Sequence, residues 1–353
     1  MKTKDMLSSI LFSVLAVTPA MAGGDKAVEG LDYSLPRTAV RMQVLVEKTE
    51  TQPGQFAGYS ELYFKKPAPT AVQTSYRIVG VSFASVGQAD PERRFTVAID
   101  KKHSVLSVDC APDGSLLAIN TKAQRKAAPA AFVPSPRKAP LNPRDYMSQD
   151  ILSAGNLPKM AQLVAQEIYD IRDSRSQLSR GEADFMPKDG EQLRLMYAQL
   201  DTQEKALMQL FQGTTTVDTT ATVLTFVPTK ENLRPVVFRF SRSFGLVSAD
   251  DYSGDPVYAV VEDTGTQKPL PEAAAAADKL KDEFRLGVAC PGHIRLTLTT
   301  ADGKPLGYYD TDAAQFGTVE MLNGALFGKK FTSNIILDPA TGGIVELKTE
   351  PLM

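Results

Sequence analysis

The chain has 353 residues, with 39 Lys and Arg against 41 Asp and Glu, a formal charge of −2, and only two histidines and two cysteines. A balance so close to neutral excludes a general nucleic-acid binder, which carries a strongly basic face. Two histidines leave little for imidazole catalysis or metal binding, and the length is enough for two or three domains with cores of their own, without disulfides.

Met1-Lys2-Thr3-Lys4-Asp5 leads into an apolar run from Met6 to Val17 and then Thr18-Pro19-Ala20-Met21-Ala22-Gly23. Those are the charged, apolar and small-residue sections of a secretory signal peptide, residues 1–22, and cleavage is expected after Ala22. The apolar run is too short to span a bilayer, which needs roughly 20 residues. No later run approaches that length, so the expected product is exported, periplasmic or extracellular, with no transmembrane segment and a net charge of about −3. In an oxidising compartment Cys110 and Cys290 either pair or stay as separate small core cysteines.

Residues 23–121 read as β-rich. Val40, Met42, Val44 and Val46 alternate with polar neighbours across Tyr33–Lys48, the pattern of a strand with one buried face. Pro53–Phe64 suits a short helix opened by proline, or a packed loop. Tyr76–Phe83 and Phe95–Ile99 are expected as strands either side of a turn at Ala89-Asp90-Pro91-Glu92. Pro112-Asp113-Gly114-Ser115 signals a hairpin joining Val105–Asp109 to Leu116–Ile119.

Residues 122–148 form a Pro- and Ala-rich linker carrying Lys122, Arg125, Lys126, Arg137, Lys138 and Arg144. These six scattered charges suit a solvated loop, with a tether to anionic lipid as the alternative reading.

Residues 149–213 hold the long helical periodicity. Met160, Val164, Ile168, Ile171 and Leu178 make the stripe of a first helix, capped by Ser153 or Asn156 and stopped by Arg180-Gly181. Asp189 with Gln192 opens a second helix, whose stripe runs from Leu193 to Phe211 and which ends at Gly213. The short link between them predicts an antiparallel hairpin. Arg175 and Glu204 interrupt the apolar lines. A hairpin folded near Asp184 keeps them apart, each with its stem along the stripe's margin and its charge in water.

Residues 214–264 return to strands at Ala221–Pro228, Val236–Phe240 and Val257–Val261. Residues 265–284 read as a second linker with a short helix, and residues 285–353 as a run of short strands making a small β module. The expected class is α+β: a β-rich N-terminal domain carrying an inserted antiparallel helical hairpin, then a smaller all-β C-terminal sandwich or barrel.

Several segments taken jointly carry a resemblance: Tyr33-Ser-Leu-Pro-Arg-Thr38, Ile168-Tyr-Asp-Ile-Arg172, Pro187-Lys-Asp-Gly190, Phe211-Gln-Gly213, Phe238-Arg-Phe-Ser241 and Gln315-Phe-Gly317. From about Leu31 onward the chain resembles an exported Gram-negative bacterial family, domain of unknown function 4831. The resemblance implies an envelope protein and brings no activity, cofactor or catalytic residue.

Cys290-Pro291-Gly292-His293 has a C-x-x-H spacing with Cys110 and His103 as partners for a metal, but Pro-Gly is sufficiently explained by a turn between strands. No serine stands in a G-x-S-x-G elbow. Asp250, Asp251 and Asp255 around Gly254 supply oxygen ligands fit for calcium, although the spaced pattern of an EF-hand loop is missing and a plain acidic turn is the better explanation. Tyr252, Tyr258, Tyr308 and Tyr309 offer aromatic surface for a glycan. The expected role is a non-catalytic envelope binding or assembly module, with a protein or glycan partner. The alternatives are a hydrolase using those three carboxylates, or a calcium- or glycan-binding module.

Overall fold

The computed structural model describes residues 30–98, 103–123, 131–136, 139–186, 189–275 and 286–351. The signal-peptide reading, four of the six linker charges (Arg125, Lys126, Arg137 and Lys138) and residues 276–284 of the second linker lie outside them.

The architecture is α+β with antiparallel sheets, organised along one strand. β1, Gly30–Gln52, is far longer than an ordinary strand. It pairs along its length with β2, Gln73–Ala98, and along its second half with β5, Thr214–Phe226. Its sequence explains the reach. Val40, Met42, Val44 and Val46 keep the alternation unbroken, and all four are buried. The turn expected at Ala89–Glu92 does not form. Ser34 pairs with Arg94 and Pro36 with Ala89, so residues 90–93 bulge out of a continuous β2. The Arg93 guanidinium holds the bulge down by donating to the carbonyl of Ala314 at 3.1 Å.

A short hairpin follows, β3 Val108–Cys110 and β4 Leu116–Ile119, paired across the predicted turn. The helical layer comprises α1 Ser60–Phe64, α2 Gln149–Leu152, α3 Leu157–Arg180 and α4 Gly190–Gln212. The remaining strands are β6 Val236–Ser241, β7 Gly245–Val247, β8 Asp255–Gln267, β9 Leu286–Thr299, β10 Pro305–Leu322, β11 Phe331–Leu337 and β12 Ile344–Pro351.

Three sheets result, in the orders β2-β1-β5, β10-β9-β8-β6-β7 and β12-β11-β4-β3. The strands after residue 285 join sheets with earlier strands, since β9 pairs with β8 and β11 with β4. Hydrogen-bonded ladders therefore cross residues 265–284. The first of those residues continue β8 as far as Gln267, where a linker was expected.

Two β cores lie along β1. One packs Val40–Val46 against Phe238, Val257, Ile294, Leu296 and Leu298 of the second sheet. The other gathers Tyr33, Leu35, Leu116, Val288, Ile335 and Leu337 from all three sheets. A third core lies under the helices, where Ala161, Val164, Ile168, Leu207 and Phe211 close over Phe56 and Ile151.

The helical caps are those the sequence announces. Asn156 accepts from the amide of Lys159 and Asp189 from that of Gln192, while Gly181 ends α3 in the left-handed region. The separation expected of Arg175 and Glu204 is corrected. Arg175 bonds Glu204 at 2.9 Å and Asp201 at 2.6 Å, and Arg172 bonds Glu204 at 2.7 Å. The helices do not pair symmetrically about the link between Arg180 and Gly190: α4 is shifted along α3, which brings these charges level.

Candidate functional site

The place where the three sheets meet is tied by one buried threonine. Thr38 of β1 donates its hydroxyl to the carbonyl of Ala340 at 2.8 Å and accepts from the amide of Ala314 at 3.0 Å. Its own backbone is clasped by Gln315, which accepts from Thr38 N at 2.9 Å and donates to Thr38 O at 2.8 Å. The same side-chain nitrogen reaches the carbonyl of Pro228 at 2.8 Å. Gln315 is free to do this because β10 leaves its ladder between Ala313 and Thr318. Opposite that break, the chain passes so closely that a Cβ on Gly317 would run into the carbonyl oxygen of Cys290. Cys290–His293 is therefore part of β9, at a bulge, where the sequence suggested a turn.

Beside this clasp lies a cleft of about 800 Å³, of the size that takes small ligands. One wall is aromatic: Phe83 and Tyr309 stack with ring centres 5.6 Å apart. The Tyr309 hydroxyl is fixed at 3.0 Å from both the amide and the hydroxyl of Ser85, and Ser85 bonds Thr311 at 2.7 Å. The other wall is built from two turns. In the β11–β12 turn, Asp338 accepts from the amides of Ala340 and Thr341. In the β3–β4 turn, Asp113 accepts from the amides of Ala89 at 3.0 Å and Ser115 at 3.1 Å. Burial pushes the Asp113 carboxyl upward, but those amides and the nearby Ser115 hydroxyl outweigh it and hold the group below the usual carboxylate range.

Ser115 is 3% exposed and lines the cavity, with its hydroxyl enclosed beside the Asp113 carboxyl. The sequence marked this serine only as the last residue of a turn. Asp-Gly-Ser between two apolar strands names the turn but not the cavity beside it.

The residues singled out for chemistry are placed elsewhere. Asp250, Asp251 and Asp255 are all exposed, on the turn that leads into β8. Asp251 accepts from Ser253 N at 2.9 Å, and the Ser253 amide and hydroxyl, with the Arg239 charge, hold it below its ordinary pKa. Arg239 reaches across the same turn, donating to the carbonyls of Ala249 at 2.9 Å and Gly254 at 3.2 Å, and stacks on Tyr252. A guanidinium thus takes carbonyls of the turn that calcium would draw on. Among the described residues no three carboxylate, imidazole or thiol groups converge as metal ligands.

His293 pairs with Asp312 at 3.0 Å across the β9–β10 ladder, both about 40% exposed. Both cysteines are free thiols, and burial pushes each further toward its neutral form. Of the four tyrosines, Tyr309 lines the cleft, Tyr252 and Tyr308 are exposed, and Tyr258 lies under the Arg234 guanidinium at 4.4 Å.

Fold and cleft together define a three-sheet antiparallel α+β protein with a helical hairpin on one end and a polar, aromatic-walled cleft at the sheet junction. The chain belongs to the family described as Domain of unknown function (DUF4831), whose family model matches residues 29–345. No curated protein and no solved structure matches it. No helix among the described residues is long and apolar enough to cross a membrane.

Proposed function

We propose that this chain is a non-catalytic binding module of the bacterial envelope, and that the cleft at the sheet junction takes a compact hydroxyl-rich ligand of saccharide type. The observation that carries the reading is the aromatic wall, Phe83 stacked on Tyr309, along one side of a cavity of about 800 Å³. Sugars present what such a site accommodates, an apolar ring face that packs on aromatic carbon such as Phe83 and Tyr309, and hydroxyls that both donate and accept among its polar groups. The cleft carboxylates favour holding over hydrolysis. Of the cleft carboxylates, Asp113 accepts from the amides of Ala89 and Ser115, Asp338 from those of Ala340 and Thr341, and Asp312 bonds His293, whereas acid–base catalysis needs carboxyls free to exchange protons with substrate. The apolar run at Met6–Val17 and Ala20-x-Ala22 support export.

The test is calorimetric titration with neutral hexoses, amino hexoses, uronic acids and their short oligomers. One of these classes is expected to bind, and Tyr309→Ala, which removes half of the stacked aromatic wall, to weaken it at least tenfold while the fold is retained. If no saccharide binds at millimolar concentration, the cleft reading is overturned. Protein partners captured by crosslinking in the envelope would then make this an assembly module.

A further inference from the structure

The outer strand of the first sheet, β5, has a free side along which no other described strand pairs. It runs through thirteen residues in unbroken register against β1, without a bulge. Edges of that length normally carry a lysine, a proline or a bulge that stops other strands adding to them. This one has none of the three, and Asp218 is its single charged residue.

Alternation places Thr215, Val217, Thr219, Ala221, Val223 and Thr225 on one face. Val217 is 50% and Val223 46% exposed. Counted outward from Thr220, the midpoint of the strand, the face reads the same both ways: a small residue, valine, threonine.

We propose that β5 pairs with β5 of a second copy, antiparallel about a two-fold axis through Thr220, fusing two three-stranded sheets into one of six strands. The symmetry narrows the choice of register. A two-fold axis normal to a sheet keeps each face on its own side, so a residue can only meet one of the same parity, and the axis must pass through a residue. Among those positions only Thr220 lets the whole strand pair. Val217 then meets the partner's Val223, Thr215 meets the partner's Thr225, and Thr219 meets the partner's Ala221. On the other face Asp218 meets the partner's Thr222. An axis through Asp218 would instead set two carboxylates face to face, which disfavours pairing.

Light scattering on the purified chain at tens of micromolar is expected to give the mass of a dimer. V217K/V223K sets lysine opposite lysine twice and is expected to give a monomer. V217K/V223E sets lysine opposite glutamate twice and is expected to restore the dimer. Both positions are about half exposed, so circular dichroism and melting should stay close to wild type. Register is tested with Thr220→Cys, which brings two thiols opposite each other at the axis and should link on mild oxidation. Thr214→Cys leaves its thiols roughly 40 Å apart and should not. A monomeric wild type overturns the proposal, as does a dimer indifferent to V217K/V223K, or one that links through Thr214→Cys as readily as through Thr220→Cys. Should V217K/V223K lower the melting temperature, the cysteine pair decides alone.

Discussion

Thr38→Val removes one hydroxyl and nothing else from the junction of the three sheets. The side chain is fully buried, and valine fills the same space. Two backbone groups lose their partner, the carbonyl of Ala340 and the amide of Ala314. Each such orphan costs about 1–3 kcal/mol, while the added methyl returns about 0.8 kcal/mol, so the net loss is about 3 kcal/mol. For some 300 ordered residues unfolding together, the unfolding entropy is on the order of 0.6 kcal/mol/K, which turns that loss into a melting point lower by about 5 °C. Differential scanning calorimetry measures it directly. Thr38→Ser is the control, because it keeps both bonds and should fall within about 1 kcal/mol of wild type. A Thr38→Val protein melting within a degree of wild type, or a Thr38→Ser protein equally damaged, would show that the hydroxyl does not hold the junction.

Glu204→Gln keeps the size of the side chain but takes the charge from between Arg172 and Arg175. Both arginines are about a third exposed, so the expected loss in denaturant titration is only about 1 kcal/mol, shrinking as salt is added. Gly213→Ala should cost at least about 2 kcal/mol, since Gly213 turns α4 into β5 at φ 80° and ψ −173°, a region open essentially to glycine alone. The Asp113 carboxyl has a native pKa below its unfolded value. Its contribution to stability is therefore complete above the ordinary carboxylate range and is lost as pH falls toward the native value. Asp113→Asn should flatten that part of the stability profile below about pH 4, and an unchanged profile would mean that Asp113 is not held by Ala89 and Ser115.

Periodicity and caps made the helical hairpin legible in the sequence. The 3.6-residue stripes, Asn156, Asp189, Gly181 and Gly213 are local signals, and each sits where it was expected. The α+β class and the β3–β4 turn were legible for the same reason. What misled was punctuation inside strands. Asp90-Pro91 and Pro291-Gly292 look like turns, because local preference is the same for a turn and a bulge. The difference lies in partners on other strands tens of residues away, Pro36 for one and Ala313 for the other. Arg175 and Glu204 were separated by assuming a symmetric pairing about the link, whereas α4 lies about three turns along α3 from that register. The cleft was not legible at all. Phe83, Ser115, Tyr309 and Asp338 come from four separate stretches, and no spacing between them encodes the cavity they share.

The Thr38 clasp also bears on how the chain reaches this structure. The hydroxyl of Thr38 bonds a carbonyl 302 residues further on, and Tyr33 bonds the carbonyl of Gly287 across 254. Closing contacts of that span is slow, because the entropy of the intervening loop is lost before any contact repays it. While the chain is being made, β1 and β2 can zip together early, but β4 has to wait for β11. Until then Leu116 and Ile119 have no cover from Ile335 and Leu337. A premature stop before residue 331 therefore does not yield a shorter working protein. It yields a long hairpin with an unfinished core, the kind of species that chaperones retain and proteases remove.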